Sequence, residues 1–278
     1  MEFNLLKTIL EKHQLWANKS LGQHFLHDES ICQRMVKHLQ LKEVTVVEIG
    51  PGPGSLTDIL LKEGPKFLMA IEKDQRFINI LKEFSVPEDT IFEVEQADAL
   101  NTSIPELLKQ KGQSGQYHIV ANLPYNIGTE LLINWIADIQ SIASITVMLQ
   151  KEVVDRMRAK VGSNDYGRLS IILQACFEVY EMFRIPPQCF IPPPKVFSSV
   201  AYLKPKQNIP EHNVLKALEK LTAVAFGQRR KMLRSSLGKA LPIWKEICDT
   251  LNIDETKRPE QIDGQTFIAM ADLCTNKI

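Results

Sequence analysis

Val44-Thr45-Val46-Val47-Glu48-Ile49-Gly50-Pro51-Gly52-Pro53-Gly54-Ser55 decides the fold of this chain. Its first six residues are mostly apolar and β-branched, the composition of a strand buried on both faces. Three glycines at alternate positions then allow a sharp turn and a close backbone approach to a ligand. From Ser55 to Lys62 the pattern becomes helical. A strand that breaks into a glycine-rich turn and then a helix opens a doubly wound α/β sheet, and the helix offers its N-terminal amides to whatever binds there.

The alternation continues downstream. Phe67–Ile71 reads as a second strand, Gln75–Glu83 as a helix and Ile91–Glu95 as a third strand. Tyr117–Ala121 is the fourth strand, Thr129–Ile139 a helix, and Ile145–Leu149 a fifth strand running into a helix from Lys151. Such alternation predicts a mostly parallel sheet. Phe177–Ile185 and Ser198–Leu203 flank a Pro-rich stretch and suit an antiparallel pair at one sheet edge. Beyond Lys204-Pro205 the pattern is helical, with Val214–Phe226 and Arg229–Leu237 the clearest helices. Pro205 and Pro210 bracket a polar linker, so the expected domains are 1–205 and 206–278.

Composition narrows the class. The 278 residues are 44% hydrophobic and 24% charged, which suits a globular protein with a real core. Five cysteines, none in a Cys-x-x-Cys spacing, support neither a disulfide framework nor a zinc site and point to a reducing cytosol. No signal-peptide core and no apolar run of membrane-spanning length is present, so the expected location is cytoplasmic. Net charge is zero, but it is unevenly placed. Residues 204–278 hold thirteen Lys/Arg against nine Asp/Glu, and residues 1–203 hold twenty against twenty-four. That asymmetry points to a polyanionic partner on one face.

The candidate site residues lie at strand ends, where open α/β sheets bind ligands. Gly50 and Gly52 follow the first strand, and Glu72 ends the second, placed to bond ribose hydroxyls. Asp98 follows the third strand and can accept from an adenine amine, or can cap a helix. The spacing G-x-G-x-G puts Ser55 where a dinucleotide fingerprint wants its third glycine, which disfavours a nicotinamide cofactor. Asn122-Leu123-Pro124-Tyr125 ends the fourth strand with an amide acceptor, a backbone carbonyl and an aromatic face. That set holds a flat exocyclic amine while stacking on its ring. An adenine N6 lone pair is delocalised, so two acceptors that favour a pyramidal nitrogen would aim that pair at an electrophile.

Three further segments bear on the chemistry. Phe190-Ile191-Pro192-Pro193-Pro194-Lys195-Val196 is stiffened by its prolines and is expected to hold Phe190 opposite Tyr125 around an extruded base. Gly227–Lys239 carries Arg229, Arg230, Lys231 and Arg234 with no acid. At helical spacing Met232, Leu233 and Leu237 face inward and Arg230, Lys231 and Arg234 outward, which suits phosphate contacts. Lys19-Ser20-Leu21-Gly22-Gln23-His24-Phe25-Leu26 reads, on its own physics, only as a loop.

Taken together, these segments resemble the ribosomal RNA adenine dimethyltransferase family, from about Lys19 to the last helices. The likeness rests on Gly22–Leu26, Glu48–Gly54, Asp98, Asn122–Ile127, Leu149–Val153, Tyr166–Ser170, Phe190–Val196 and Gln228–Lys231. It is strongest to the branch that dimethylates two adjacent adenosines near the 3′ end of 16S rRNA. A sister branch acting on large-subunit rRNA typically has Ile at the position of Leu123 and lacks the Gln-Arg-Arg-Lys segment. The resemblance implies a class I, Rossmann-like methyltransferase sheet with a small C-terminal helical domain, and residues 1–43 as a helical, cofactor-covering segment. It implies S-adenosylmethionine (SAM) as cofactor, held by His24, Leu26, Gly50, Gly52, Glu72, Asp98 and Asn122. Relatives commonly carry Asn where this chain has His24, so what carries over there is the backbone position. Asn122, Pro124, Tyr125 and Phe190 are the implied catalytic residues. A monomer working on the small ribosomal subunit, with a role in its assembly and a link to kasugamycin sensitivity, is implied as well.

Overall fold

The computed structural model describes residues 24–275, so Lys19–Gln23 and most of the expected covering segment lie outside the described residues. The chain forms two compact units. One holds the described residues up to Val154 with Tyr180–Lys204, and the other Asp155–Val179 with the described residues from Pro205 onward. The boundary expected near 205–210 thus falls at Lys204/Pro205. Residues 155–179, grouped above with the first domain, lie instead in the helical unit. Local bonds explain this: Lys206 N donates to the Cys176 carbonyl at 2.9 Å, and Arg168 pairs with Glu219 at 2.7 Å.

The large sheet consists of β2 (Thr45–Ile49), β3 (Phe67–Glu72), β4 (Ile91–Gln96), β5 (Tyr117–Asn122), β6 (Ile142–Gln150), β7 (Phe177–Ile185), which belongs to the first unit from Tyr180 on, and β9 (Ser198–Pro205), which belongs to it up to Lys204. Their order across the sheet is β4-β3-β2-β5-β6-β9-β7. The strands from β4 to β6 pair in parallel, and β9 is antiparallel to β6. β2 and β3 sit centrally, and burial of both faces accounts for their unbroken apolar runs. β4, at the margin, carries Glu93 and Glu95, which face Lys111 at 3.1 and 3.8 Å. Charges of this kind protect an edge strand from adventitious pairing. A separate two-stranded ribbon joins β1 (Phe25–Leu26) to β8 (Phe190–Ile191), antiparallel.

Helices α1 (Glu29–Val36), α2 (Ser55–Lys62), α3 (Gln75–Leu81), α4 (Ile104–Gln110) and α5 (Gly128–Asn134) connect the strands. Asp28, Asp74 and Ser103 cap α1, α3 and α4 by accepting backbone N–H groups, as short polar residues before an apolar run do. The single helix expected over 129–139 tightens after Asn134 into 3₁₀ turns, broken at Asp138. A core cluster from α1, α2 and the sheet includes Ile31, Met35, Leu60, Leu68, Val120 and Phe190.

After α6 (Lys151–Met157), the second unit holds α7 (Arg168–Cys176), α8 (His212–Gly227), α9 (Leu233–Ala240), α10 (Trp244–Leu251) and α11 (Gly264–Thr275). Leu218, Leu221, Leu233, Leu237, Phe267 and Met270 form its buried interior. Among the described residues no helix is long and apolar enough to cross a membrane. All five cysteines are free thiols.

Candidate active site

Register brings the predicted residues together. Ile49 pairs with Ile71 and with Ala121, Glu72 with Gln96, and Asn122 with Met148, so the carboxyl ends of β2 to β6 share one edge. A cavity of about 420 Å³ opens there, within the range of small-molecule sites. His24, Gly50, Gly52, Glu72, Asp98 and Asn122 all line it.

The glycine loop is held by the sheet before any ligand arrives. Glu72, 7% exposed, accepts from Gly52 N at 3.0 Å through Oε2 and from Asp74 N at 2.8 Å through Oε1. Burial raises its carboxyl above the usual range, and the backbone N–H bonds oppose that rise. Gly54, which precedes α2, has φ of 92°, and a Cβ there would stand 2.5 Å from the Phe84 ring. Only glycine fits. Behind the loop, Glu48 is fully buried, and Thr57 Oγ1 donates to it at 2.7 Å. Burial pushes the Glu48 carboxyl up to about 8 against that bond.

Of the two readings of Asp98 from the sequence, adenine acceptor and helix cap, the cap is formed. Asp98 lines the cavity, and its Oδ1 caps the short turn Ala99–Asn101 by accepting from Leu100 N at 3.1 Å. Its Oδ2 meets Lys73 Nζ at 2.8 Å, and that bond, first among its causes, holds the carboxyl below its ordinary value. Lys73 was not foreseen. A charged residue just past a strand end was its only sequence signal.

At the Asn122 turn the geometry is asymmetric. Asn122 Nδ2 donates to the His24 carbonyl at 3.2 Å, which commits the donor side of the amide. Oδ1 has no protein partner among the described residues and remains as the acceptor. The Pro124 carbonyl, assigned above to the incoming amine, is occupied: Ile127 N and Gly128 N donate to it at 3.3 and 3.1 Å, closing the turn that starts α5. The Leu123 carbonyl, one residue earlier, carries no such cap bond, and Leu123 also lines the cavity.

Tyr125 is half-buried, and its hydroxyl lies 2.6 Å from Ser198 Oγ. Its ring stacks on His24, centroids 5.4 Å apart and planes 28° apart. His24 Nδ1 lies 2.7 Å from the Pro192 carbonyl. The Pro-rich segment therefore reaches Tyr125 through His24 and Ser198. Phe190 does not face Tyr125. It is 2% exposed, pairs with Leu26 across the β1–β8 ribbon and belongs to the core cluster. Alternation along the ribbon turns Phe190 inward and Ile191 outward. Leu26, likewise buried, lines the cavity from the same ribbon.

The basic segment also departs from expectation. The helix foreseen from Arg229 begins at Leu233, and Gln228–Lys231 form a turn. Arg229 Nε donates to Glu260 at 2.7 Å and Nη2 to the Asn164 carbonyl at 2.7 Å, so its charge organises the helical unit. Arg230, Lys231 and Arg234 are exposed. Met232, expected to face inward, is 40% exposed, because it precedes the first turn of α9.

With this geometry in place, comparison with known proteins is informative. The family model for the ribosomal RNA adenine dimethylases matches residues 14–275. The chain belongs to that family. A ribosomal RNA small subunit methyltransferase A from Phenylobacterium zucineum is 43% identical over 270 residues, covering 96% of this chain and 91% of that protein. The crystal structure of a dimethyladenosine transferase from Plasmodium falciparum superposes with a TM-score of 0.71 at 25% identity, over 89% of this chain and 96% of that one. The 23S rRNA methyltransferase ErmE shares the fold, with a TM-score of 0.62 at 22% identity, over 89% of this chain and 98% of its own. The rRNA adenine dimethylases are class I methyltransferases with SAM as cofactor, and the cavity fits that molecule. A carboxylate offers about four acceptor positions, so Glu72 retains capacity for ribose hydroxyls beside its two loop bonds. The loop presents bare backbone, since a Cβ on Gly52 would already touch Phe25 at 3.4 Å. Asp98 lines the same cavity.

Proposed function

We propose that this methyltransferase dimethylates the N6 amines of two adjacent adenosines near the 3′ end of 16S rRNA, as a cytoplasmic monomer acting on small ribosomal subunits during their assembly. One observation carries the chemical part of this reading. The Asn122 amide donates to the His24 carbonyl, and its acceptor oxygen has no protein partner among the described residues in the wall of the cavity.

Asn122 Oδ1 and the Leu123 carbonyl accept the two N–H groups of the adenine amine. Bonding both of them favours a pyramidal nitrogen and directs its lone pair. SAM, when bound, supplies an electrophilic methyl group on a sulfonium. Glu72 and the loop amides hold its nucleoside part, and Asp98 its adenine. The Tyr125 ring stacks on the target base, supported from below by His24 and anchored by Ser198. No strong base is required, because the nitrogen becomes acidic once alkylated and sheds its proton to water. Phosphate contacts fall to the exposed Arg230, Lys231 and Arg234, with Arg229 as a positioning residue.

Transfer of tritiated methyl from SAM to immature small subunits tests this. Label in dimethyladenosine of 16S rRNA is the expected result. Label only in naked large-subunit rRNA, or none in either, would overturn it.

A further inference from the structure

Just after the Pro-rich segment, one aromatic residue is left exposed beside the carboxyl edge of the sheet. β9 pairs with β6 in a register that sets Ser198 against Gln150. The first residue of β9 therefore stands at the carboxyl end of the parallel strands. Phe197 lies one residue further out and is 51% exposed. Its backbone is fixed from two sides. Lys151 N donates to the Phe197 carbonyl at 2.9 Å, and the neighbouring Ser198 is buried with its hydroxyl on Tyr125. Val196, beside it, is 42% exposed.

A large aromatic side chain left in water on an anchored backbone, one residue from the contact that fixes Tyr125, is well placed for a second base. When one adenine leaves its stack to enter the cavity, the nucleotide next to it loses a stacking partner. An aromatic platform restores that partner whatever the base, because every base presents a π face. The core position of Phe190 leaves Phe197 as the exposed aromatic of this segment.

We propose that Phe197 is a stacking platform for a nucleotide flanking the target adenosine in the bound RNA. This rests on the rRNA adenine reading of the cavity. A platform for a neighbour acts equally on the ground and transition states, so its loss appears in KM, whereas loss of a group stacked on the reacting base appears in kcat.

The test measures steady-state methylation of immature small subunits by the full chain carrying Phe197→Ala, Phe197→Leu or Phe197→Trp. Phe197→Ala should raise KM for subunits by about 5- to 150-fold, the usual loss for one stacked base. Its kcat, SAM affinity and thermal midpoint should match wild type. Phe197→Leu should stay impaired, and Phe197→Trp should recover. An unchanged KM in Phe197→Ala, a fall confined to kcat, or equal rescue by Leu and Trp would each overturn the proposal. Should Phe197→Ala not fold, the contrast between Leu and Trp decides alone. Wild-type protein that fails to methylate small subunits would instead refute the underlying assignment of substrate.

Discussion

Replacing Glu48 with Gln should make the protein's stability markedly less dependent on pH. Glu48 is fully buried behind the glycine loop, with Thr57 as its hydrogen-bond donor and with Glu72 and Cys32 as its titratable neighbours. Its carboxyl is raised from 4.5 to about 8. Between those values the folded chain holds a proton that the unfolded chain has released, so stability falls as pH rises across that window. About 3.5 pH units at about 1.4 kcal/mol each gives an upper bound of about 5 kcal/mol, which water drawn to the ionised group would reduce. Below the unfolded value both states are protonated, and above about 8 both are ionised, so the contribution is flat at either end. Glu48→Gln keeps the shape and an acceptor for Thr57 but cannot ionise. Urea unfolding of both proteins from about pH 4 to about pH 9 gives the comparison. The variant should gain on wild type steadily from about pH 5 to about pH 8 and hold that gain above it. Parallel stability curves over the whole range would refute the reasoning, since they would mean that Glu48 titrates alike in the folded and unfolded states.

The other expectations are briefer. Asn122→Ala should slow methyl transfer by about 10²- to 10³-fold in single-turnover assays at saturating SAM, the usual loss for one positioned transition-state partner; a normal rate with lost SAM binding would assign Asn122 to the cofactor alone. Glu72→Ala should weaken SAM binding by about 1.5–3 kcal/mol by calorimetry and also lower the thermal midpoint, because Gly52 N and Asp74 N lose their acceptor. Unchanged affinity would remove Glu72 from the cofactor site. Changing Arg230 and Arg234 together to Gln should flatten the log-log salt dependence of subunit binding by roughly 0.7 per lost phosphate contact, and an unaltered slope would place the RNA elsewhere. Arg229→Gln should instead lower the unfolding temperature, since it breaks the pair with Glu260.

The parallel sheet was legible because buried strands must be apolar and must end where the chain turns. Thr45–Ile49, Phe67–Glu72 and Tyr117–Asn122 announce themselves in this way, and the cavity residues follow from their ends. Phe190 was misread for a physical reason. The direction of a side chain in a two-residue strand is set by its partner, here Phe25–Leu26, which lies far away in sequence. The start of α9 was misread because Arg229, Arg230 and Lys231 continue a helical spacing, while Glu260 draws Arg229 into a turn. The engagement of the Pro124 carbonyl was not legible for a local reason: the turn before α5 closes on a carbonyl, and Pro124 supplies it to Ile127 N and Gly128 N.

The placement of β9 between β6 and β7 has a consequence for how the chain is made. During synthesis β7 leaves the ribosome ahead of β9, yet its final place lies outside it. Synthesis at about 5–20 residues per second leaves β6 without its outer neighbour for several seconds, while roughly fifty further residues emerge. An unpaired edge of that kind invites the wrong strand. The polar residues Glu178, Glu181 and Arg184 distributed along β7 make it a poor substitute for Ser198–Pro205, which is buried over most of its length. The sheet is thus closed by its last strand to be synthesised, and that strand brings Ser198 to Tyr125. A nascent chain arrested before Ser198 would have every cavity-lining residue from His24 to Ile127 but not the anchor for the Tyr125 ring.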